Sequence, residues 1–179
     1  MTEKEAEELC RMIRVGVDLS KPKYNYRPKT SEELKDLIEE LIKERGIKAD
    51  LNDIDVSRVT DMRYLFQESK FNDNISEWDV SGVKSMSWMF AFSQFNGDIS
   101  KWNVSKVENM SYMFEYSEFN GNISKWNVRK VEGMNYMFQG SQFNGDISKW
   151  DVSGVENMCY MFAGSQFNGD ISKWAKKPK

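Results

Sequence analysis

A Phe-Asn pair recurs at Phe71, Phe95, Phe119, Phe143 and Phe167, each 24 residues after the last. A fixed period of this size restricts the chain to a repeat architecture. Each unit is too small to bury its own apolar face and buries it against its neighbours. Between the pairs, columns of apolar residues stay in phase. Ile75, Ile99, Ile123 and Ile147 form one, Trp78, Trp102, Trp126 and Trp150 the next, and Val80, Val104, Val128 and Val152 follow. The spacing Ile-x-x-Trp-x-Val is that of a leucine-rich-repeat strand. Its period-two step puts Trp and Val on one side and the intervening residue on the other. The period then changes. Val83, Met86, Met89 and Phe90 fit one face of a short helix, and the same face returns from Val107, Val131 and Val155. The expectation is an α/β repeat of 24-residue coils, each a short parallel strand plus a short helix.

The remaining columns read as structure before function. Met at helical spacing fills irregular core space, and the Trp column reads as a buried stack. Asn72, Asn96, Asn120, Asn144 and Asn168 form a polar column, expected to bond the loop of the adjacent coil. Gly97, Gly121, Gly145 and Gly169 follow it and suggest a left-handed turn. Tyr64, Trp88, Tyr112, Tyr136 and Tyr160 make an outward aromatic column. It reads as a self-supporting ladder, with a sticky stripe for a partner or glycan as the alternative.

The run Ile-x-x-Trp-Asp/Asn-Val-Ser-x-Val-x-x-Met-x-x-Met-Phe-x-x-Ser-x-Phe-Asn holds in phase over 51–174, with Arg129 standing where the pattern has Ser. It resembles the Met-Phe-rich branch of the BspA-like leucine-rich repeats, the bacterial surface-protein repeat catalogued as domain of unknown function 285. The resemblance implies a right-handed leucine-rich-repeat-like solenoid. It also implies display at the bacterial cell surface or secretion, and adhesion or host-protein binding.

Ahead of the repeats, residues 1–46 read as two helices and a linker. The first spans about 2–14, with Thr2 and Glu5 as a capping box. The second starts at Thr30-Ser31 with Glu33 completing another, carries the stripe Leu34, Leu37, Ile38, Leu41 and Ile42, and stops at Gly46. Leu51, Ile54, Val56, Val59, Met62, Leu65 and Phe66 fit the repeat columns one period early, so 51–70 is a divergent first copy. The second helix is the natural N-terminal cap of the 47–174 solenoid. Residues 175–179 form a lysine-rich tail. Phe162, Ile171 and Trp174 are expected near an open end, where an end-to-end dimer would form.

The chain has no His, which removes the commonest general base and a favoured metal ligand. Phosphate-binding glycine motifs are missing, and Asp50, Asn52 and Asp55 lack the Gly and distal Glu of an EF-hand. The reading is therefore no catalytic residue, no metal and no cofactor. Cys10 and Cys159 are too few for a disulfide framework and read as free thiols. A net charge of −3 argues against nucleic acid, and no apolar run is long enough for membrane insertion. No apolar leader follows Met1, so a cytoplasmic location stands beside the surface location that the resemblance implies. What varies between copies is the pair flanking each Trp. Glu77, Asp79, Lys101, Asn103, Lys125, Asn127, Lys149 and Asp151 are the candidate binding residues on the sheet face. They suit a non-catalytic module for a protein partner. The alternative is a spacer or self-assembly unit without a ligand of its own.

Overall fold

The computed structural model describes residues 23–178. The expected helix over 2–14 and Cys10 lie outside the described residues. Among the described residues, one α-helix, α1 (Ser31–Arg45), precedes the repeats. Thr30 caps it by accepting the Glu33 amide at 3.1 Å, while the Glu33 carboxylate reaches back to the Lys29 amide rather than to that of Thr30. Gly46, at φ 89°, closes the other end by donating to the Ile42 carbonyl. Leu34, Ile38 and Leu41 are buried, and this face packs into the same core as Leu51, Ile54, Met62 and Phe66 of the first unit.

Positions 24 apart sit one above another. The amides of Met62, Tyr64, Phe66 and Glu68 donate to the carbonyls of Ser85, Ser87, Met89 and Ala91 in the next unit, and the same four-bond row recurs at the next three junctions. Isolated parallel bridges mark this ladder at Asp61, Ser85, Asn109, Gly133 and Asn157. The strand column therefore lies just before the first Met, not at Trp-x-Val as the period suggested. There, close turns such as Trp78 amide to Ile75 carbonyl and Val83 amide to Val80 carbonyl leave too few extended residues for a strand.

The segment expected to be a short helix is a run of turns. Met89 bonds back to Met86, Ala91 to Trp88 and Ser93 to Phe90, each three residues apart. Trp88 and Phe92 have φ of 60° and 57°, as does the residue before each closing amide in a type II turn. Left-handed backbone costs a non-glycine residue about 1–2 kcal/mol. Here it recurs at Tyr64, Trp88, Tyr112, Tyr136 and Tyr160, so it belongs to the repeat and not to one reactive site. Their rings stack between units at centroid distances of 6.2, 4.1, 4.8 and 5.2 Å. Aromatic pairs contribute about 0.5–1.5 kcal/mol each beyond burial, which offsets part of the backbone cost. In the second left-handed column, Phe92 and Tyr116 stack at 5.3 Å and glycine takes over at Gly140 and Gly164. A Cβ on Gly140 would lie 2.3 Å from the Tyr116 ring, so the Tyr116 ring needs that glycine beneath it.

The interior is a set of stacked columns. The rings of Trp78, Trp102, Trp126, Trp150 and Trp174 are 4–5 % exposed. Each indole N–H donates to a carbonyl of the preceding unit, as Trp126 does to Ile99 at 3.1 Å. This satisfies the one polar group that the ring buries. The Asn column bonds as expected, with each Asn side-chain oxygen accepting the amide of the Asn one unit on at 2.7–2.9 Å, although these side chains face solvent. Gly97 and its equivalents are not left-handed. Gly97 is required because a Cβ would meet the Asp73 carbonyl at 2.6 Å and the Phe95 ring at 2.8 Å.

Candidate functional site

Glu77, Asp79, Lys101, Asn103, Lys125, Asn127, Lys149 and Asp151 are all exposed and form two rows beside the buried Trp column. The second row is partly occupied with its own backbone. Asp79, Asn103, Asn127 and Asp151 each accept, through Oδ1, the amide two residues on, at 3.0–3.3 Å. These are Asx turns. A parallel set lies three residues before the Lys row, where Asn74, Asp98, Asn122, Asp146 and Asp170 accept from Ser76, Ser100, Ser124, Ser148 and Ser172. Hydrogen bonds from Ser100, Ser148, Ser153 and Ser172 hold Asp98, Asp146, Asp151 and Asp170 below the ordinary carboxylate range. The Lys101, Lys125 and Lys149 amines form no hydrogen bond or ion pair among the described residues. They are free to meet a ligand.

Asp53, which continues this face toward the N-terminus, is already engaged. Arg45 of α1 grips its carboxylate with two bonds of 3.0 Å, and Asn25 adds a third at 2.8 Å. Burial pushes the Asp53 carboxyl up, but the bonds from Arg45 and Asn25 outweigh it and the net shift is downward. The Arg45 guanidinium also lies 5.7 Å from the Tyr26 ring centroid. This cluster fastens the segment at Tyr26, α1 and the first unit together.

The aromatic column is unsuited to sugar stacking. A pyranose packs on a ring face, and in a ladder the faces of Trp88, Tyr112 and Tyr136 are covered by neighbouring rings. Only edges and hydroxyls face outward, apart from the terminal rings of Tyr64 and Tyr160, which are 44 % and 56 % exposed. Cys159 is half-buried, and its amide closes an Asx turn on Asn157. Among the described residues, no group of three His, Cys, Asp or Glu side chains is placed to hold a metal ion, and no helix is long and apolar enough to cross a membrane.

One buried group was not anticipated from the sequence. Glu115 is 7 % exposed, and its Oε2 has no hydrogen-bond partner. Burial raises its pKa. It stands in the column of Gln67, Ala91, Gln139 and Ala163, and being the one carboxylate there is the signal that would have found it. Because the folded state holds the proton more tightly, stability from this group is full below the unfolded pKa and falls as pH rises through the folded one. Glu115→Gln is therefore expected to raise the unfolding free energy at pH 7 by about 1 kcal/mol or more, read from urea denaturation. It should also flatten the fall in stability above pH 4.5. An unchanged pH profile would show that Glu115 ionises freely in the native state.

A family model described as a Mycoplasma protein of unknown function, DUF285, matches residues 34–142 and again 115–178. The chain belongs to the DUF285 family. The matches take in α1 from Leu34 and the stacked units described above, so in this DUF285 chain the cap helix and the repeats fall under one family description. No curated protein and no solved structure matches it.

Proposed function

We propose that this DUF285 chain is a non-catalytic protein-binding repeat module, a right-handed solenoid of the BspA-like type acting in adhesion or host interaction at the bacterial surface. The observation that carries the reading is the contrast between the two sides of each unit. The inward columns hold their residue type, while the exposed flanks of the Trp column change charge from Glu77 to Lys101 and from Asp79 to Asn103. Extended repeat surfaces serve partner binding in this way, and a rigid stacked interior keeps those flanks at fixed spacing. The test is capture of a partner by the folded chain, followed by titration of the purified partner against wild type and against a variant with Lys101, Lys125 and Lys149 changed to Glu. The expected result is at least a tenfold loss in the variant, and weaker wild-type binding at high salt. Equal binding by both forms would move the site off this face.

The second reading is a spacer or self-assembly unit. It is favoured by the unpaired amides of Met158, Tyr160, Phe162 and Gly164, which correspond to the donor row at every earlier junction and have no acceptor among the described residues. The tail partly closes this end. Trp174 stacks on Trp150 at 6.3 Å, Lys176 donates to the Val155 carbonyl at 2.6 Å, and Lys177 donates to that of Ile171. A dimer joining two such ends would set donors against donors, so the geometry favours head-to-tail contact over the symmetric one.

A further inference from the structure

We infer that the two middle units, 95–118 and 119–142, present a bounded island of hydrogen-bond donors that takes a short acidic segment of a partner protein. The inference rests on the protein-binding reading and names the chemistry of that face. Residues 99–107 and 122–131 contain Lys101, Lys106, Lys125, Arg129 and Lys130 and no carboxylate. All five cations are exposed, and stacking sets Lys101 beside Lys125 and Lys106 beside Lys130. Arg129 reaches Asp151 only at 3.7 Å, with the two side chains 77 % and 52 % exposed, so this pair opens readily.

The amides sharpen the island. Asn103, Asn122 and Asn127 each spend Oδ1 on a backbone amide, at 3.2, 3.1 and 3.3 Å. That bond fixes the orientation of the side chain and leaves Nδ2, a donor, for solvent or a ligand. In the flanking units the same positions are Asp79, Asp146 and Asp151, except for Asn74, whose Nδ2 is already spent on the Asp50 carboxylate at 3.3 Å, and Asp98 stands one unit before Asn122. There the identical turn leaves a carboxylate oxygen, an acceptor. The Asn-to-Asp alternation therefore switches the face from donor to acceptor without altering the backbone.

The boundaries choose the ligand. Glu77 and Asp79 close the island toward the N-terminus, Asp151 toward the C-terminus, Glu108 and Glu132 along one side, and Asp98 at a corner. A long polyanion laid along the stack would run onto these carboxylates. Single-stranded nucleic acid would also want ring faces to stack on, and the flanks of the Trp column offer none. A few carboxylates spaced over about two units, roughly 10 Å at one strand spacing per unit, fit between the borders.

The test is titration by fluorescence anisotropy of a labelled tetrapeptide, Glu-Gly-Glu-Gly, which spans about 10 Å when extended. The Gln-for-Glu peptide, a heparin tetrasaccharide and an oligothymidylate serve as competitors. The Glu peptide should bind at low salt and the Gln peptide should not. Asn103→Asp with Asn127→Asp keeps both turns and should cut affinity at least tenfold. Gln166→Glu, which adds an exposed negative charge outside the island, should change it less than twofold. Thermal melts matched to wild type confirm that the variants fold. Tighter binding of the heparin tetrasaccharide or the oligothymidylate would overturn the inference in favour of a general polyanion surface. So would failure of the Glu peptide, or binding indifferent to the two Asn changes. If a purified partner still binds the Asn variant as it binds wild type, the protein-binding reading stands and this inference falls. If neither peptide nor partner binds, both fall.

Discussion

Trp126→Ala is expected to cost about 3–5 kcal/mol, the range for truncating a large buried aromatic side chain. Trp126 is 4 % exposed, its indole donates to the Ile99 carbonyl at 3.1 Å, and its ring lies 6.5 Å from that of Phe114. The substitution opens a cavity and leaves a buried carbonyl without its partner, two penalties that add. It does so in the middle of the stack. Units contact only their neighbours, so a weak central junction divides the cooperative block. The expected readout is urea unfolding with a lowered first midpoint and a second, later transition. Hydrogen exchange should open first at the amides of Met110, Tyr112, Phe114 and Tyr116, which bridge the third and fourth units. Trp126→Phe separates the two penalties in part, because it removes the N–H and a smaller part of the ring volume than Ala does. It should cost less than half as much. A single transition at the wild-type midpoint for Trp126→Ala would show that the Trp column is not what holds adjacent units together.

The residues that make this prediction were legible in the sequence, because burial alone fixes them. Ile, Trp, Val, Met and Phe recur at 24-residue steps, and any chain that stacks such units must turn those columns inward. The path of the backbone between them was not legible. Met86, Met89 and Phe90 satisfy a helical face, but they equally satisfy successive type II turns that point the same side chains inward. The deciding signal is normally a glycine at the left-handed position, and the chain hides it by placing Trp88 and Phe92 there. Gly140 and Gly164, in the column of Phe92 and Tyr116, were the visible trace. The thrice-repeated Asp/Asn-x-Ser spacing was a second one. Asp98-Ser100, Asn103-Ser105 and Asn109-Ser111 are all Asx turns, and three of them within one unit leave no room for a helix. On the candidate face, exposure was legible from the period-two step. The engagement of the Asp and Asn oxygens was not, since it depends on how the following amide is aimed.

Unseating α1 should turn one end of the stack into an assembly surface. Leu34 and Ile38 are buried against the first unit, Ser31 Oγ donates to the Asp61 carbonyl, and Arg45 holds Asp53. Beneath lies the acceptor side of the inter-unit ladder. The carbonyls of Asp61, Arg63, Leu65 and Gln67 correspond to those of Ser85, Ser87, Met89 and Ala91, which the preceding unit bonds in every later case. A cleft of about 370 Å³ lies between α1 and residues 64–69, beside part of this row. Leu34→Asp with Ile38→Asp puts two carboxylates into the apolar contact, where an unpaired charge is strongly unfavourable. The helix should detach and expose Leu51, Ile54, Met62 and Phe66 together with the acceptor row. That row complements the unpaired donors at Met158, Tyr160, Phe162 and Gly164 of a second copy, so association should run head to tail and not stop at two. Sedimentation velocity over a hundredfold concentration range should show wild type unchanged and the double variant growing, with helical ellipticity reduced in parallel. Adding Phe162→Glu should suppress the growth by charging the donor end. A double variant that loses its helical signal and still sediments as one copy would show that the two ends do not recognise each other, and that α1 serves only to shield apolar surface from water.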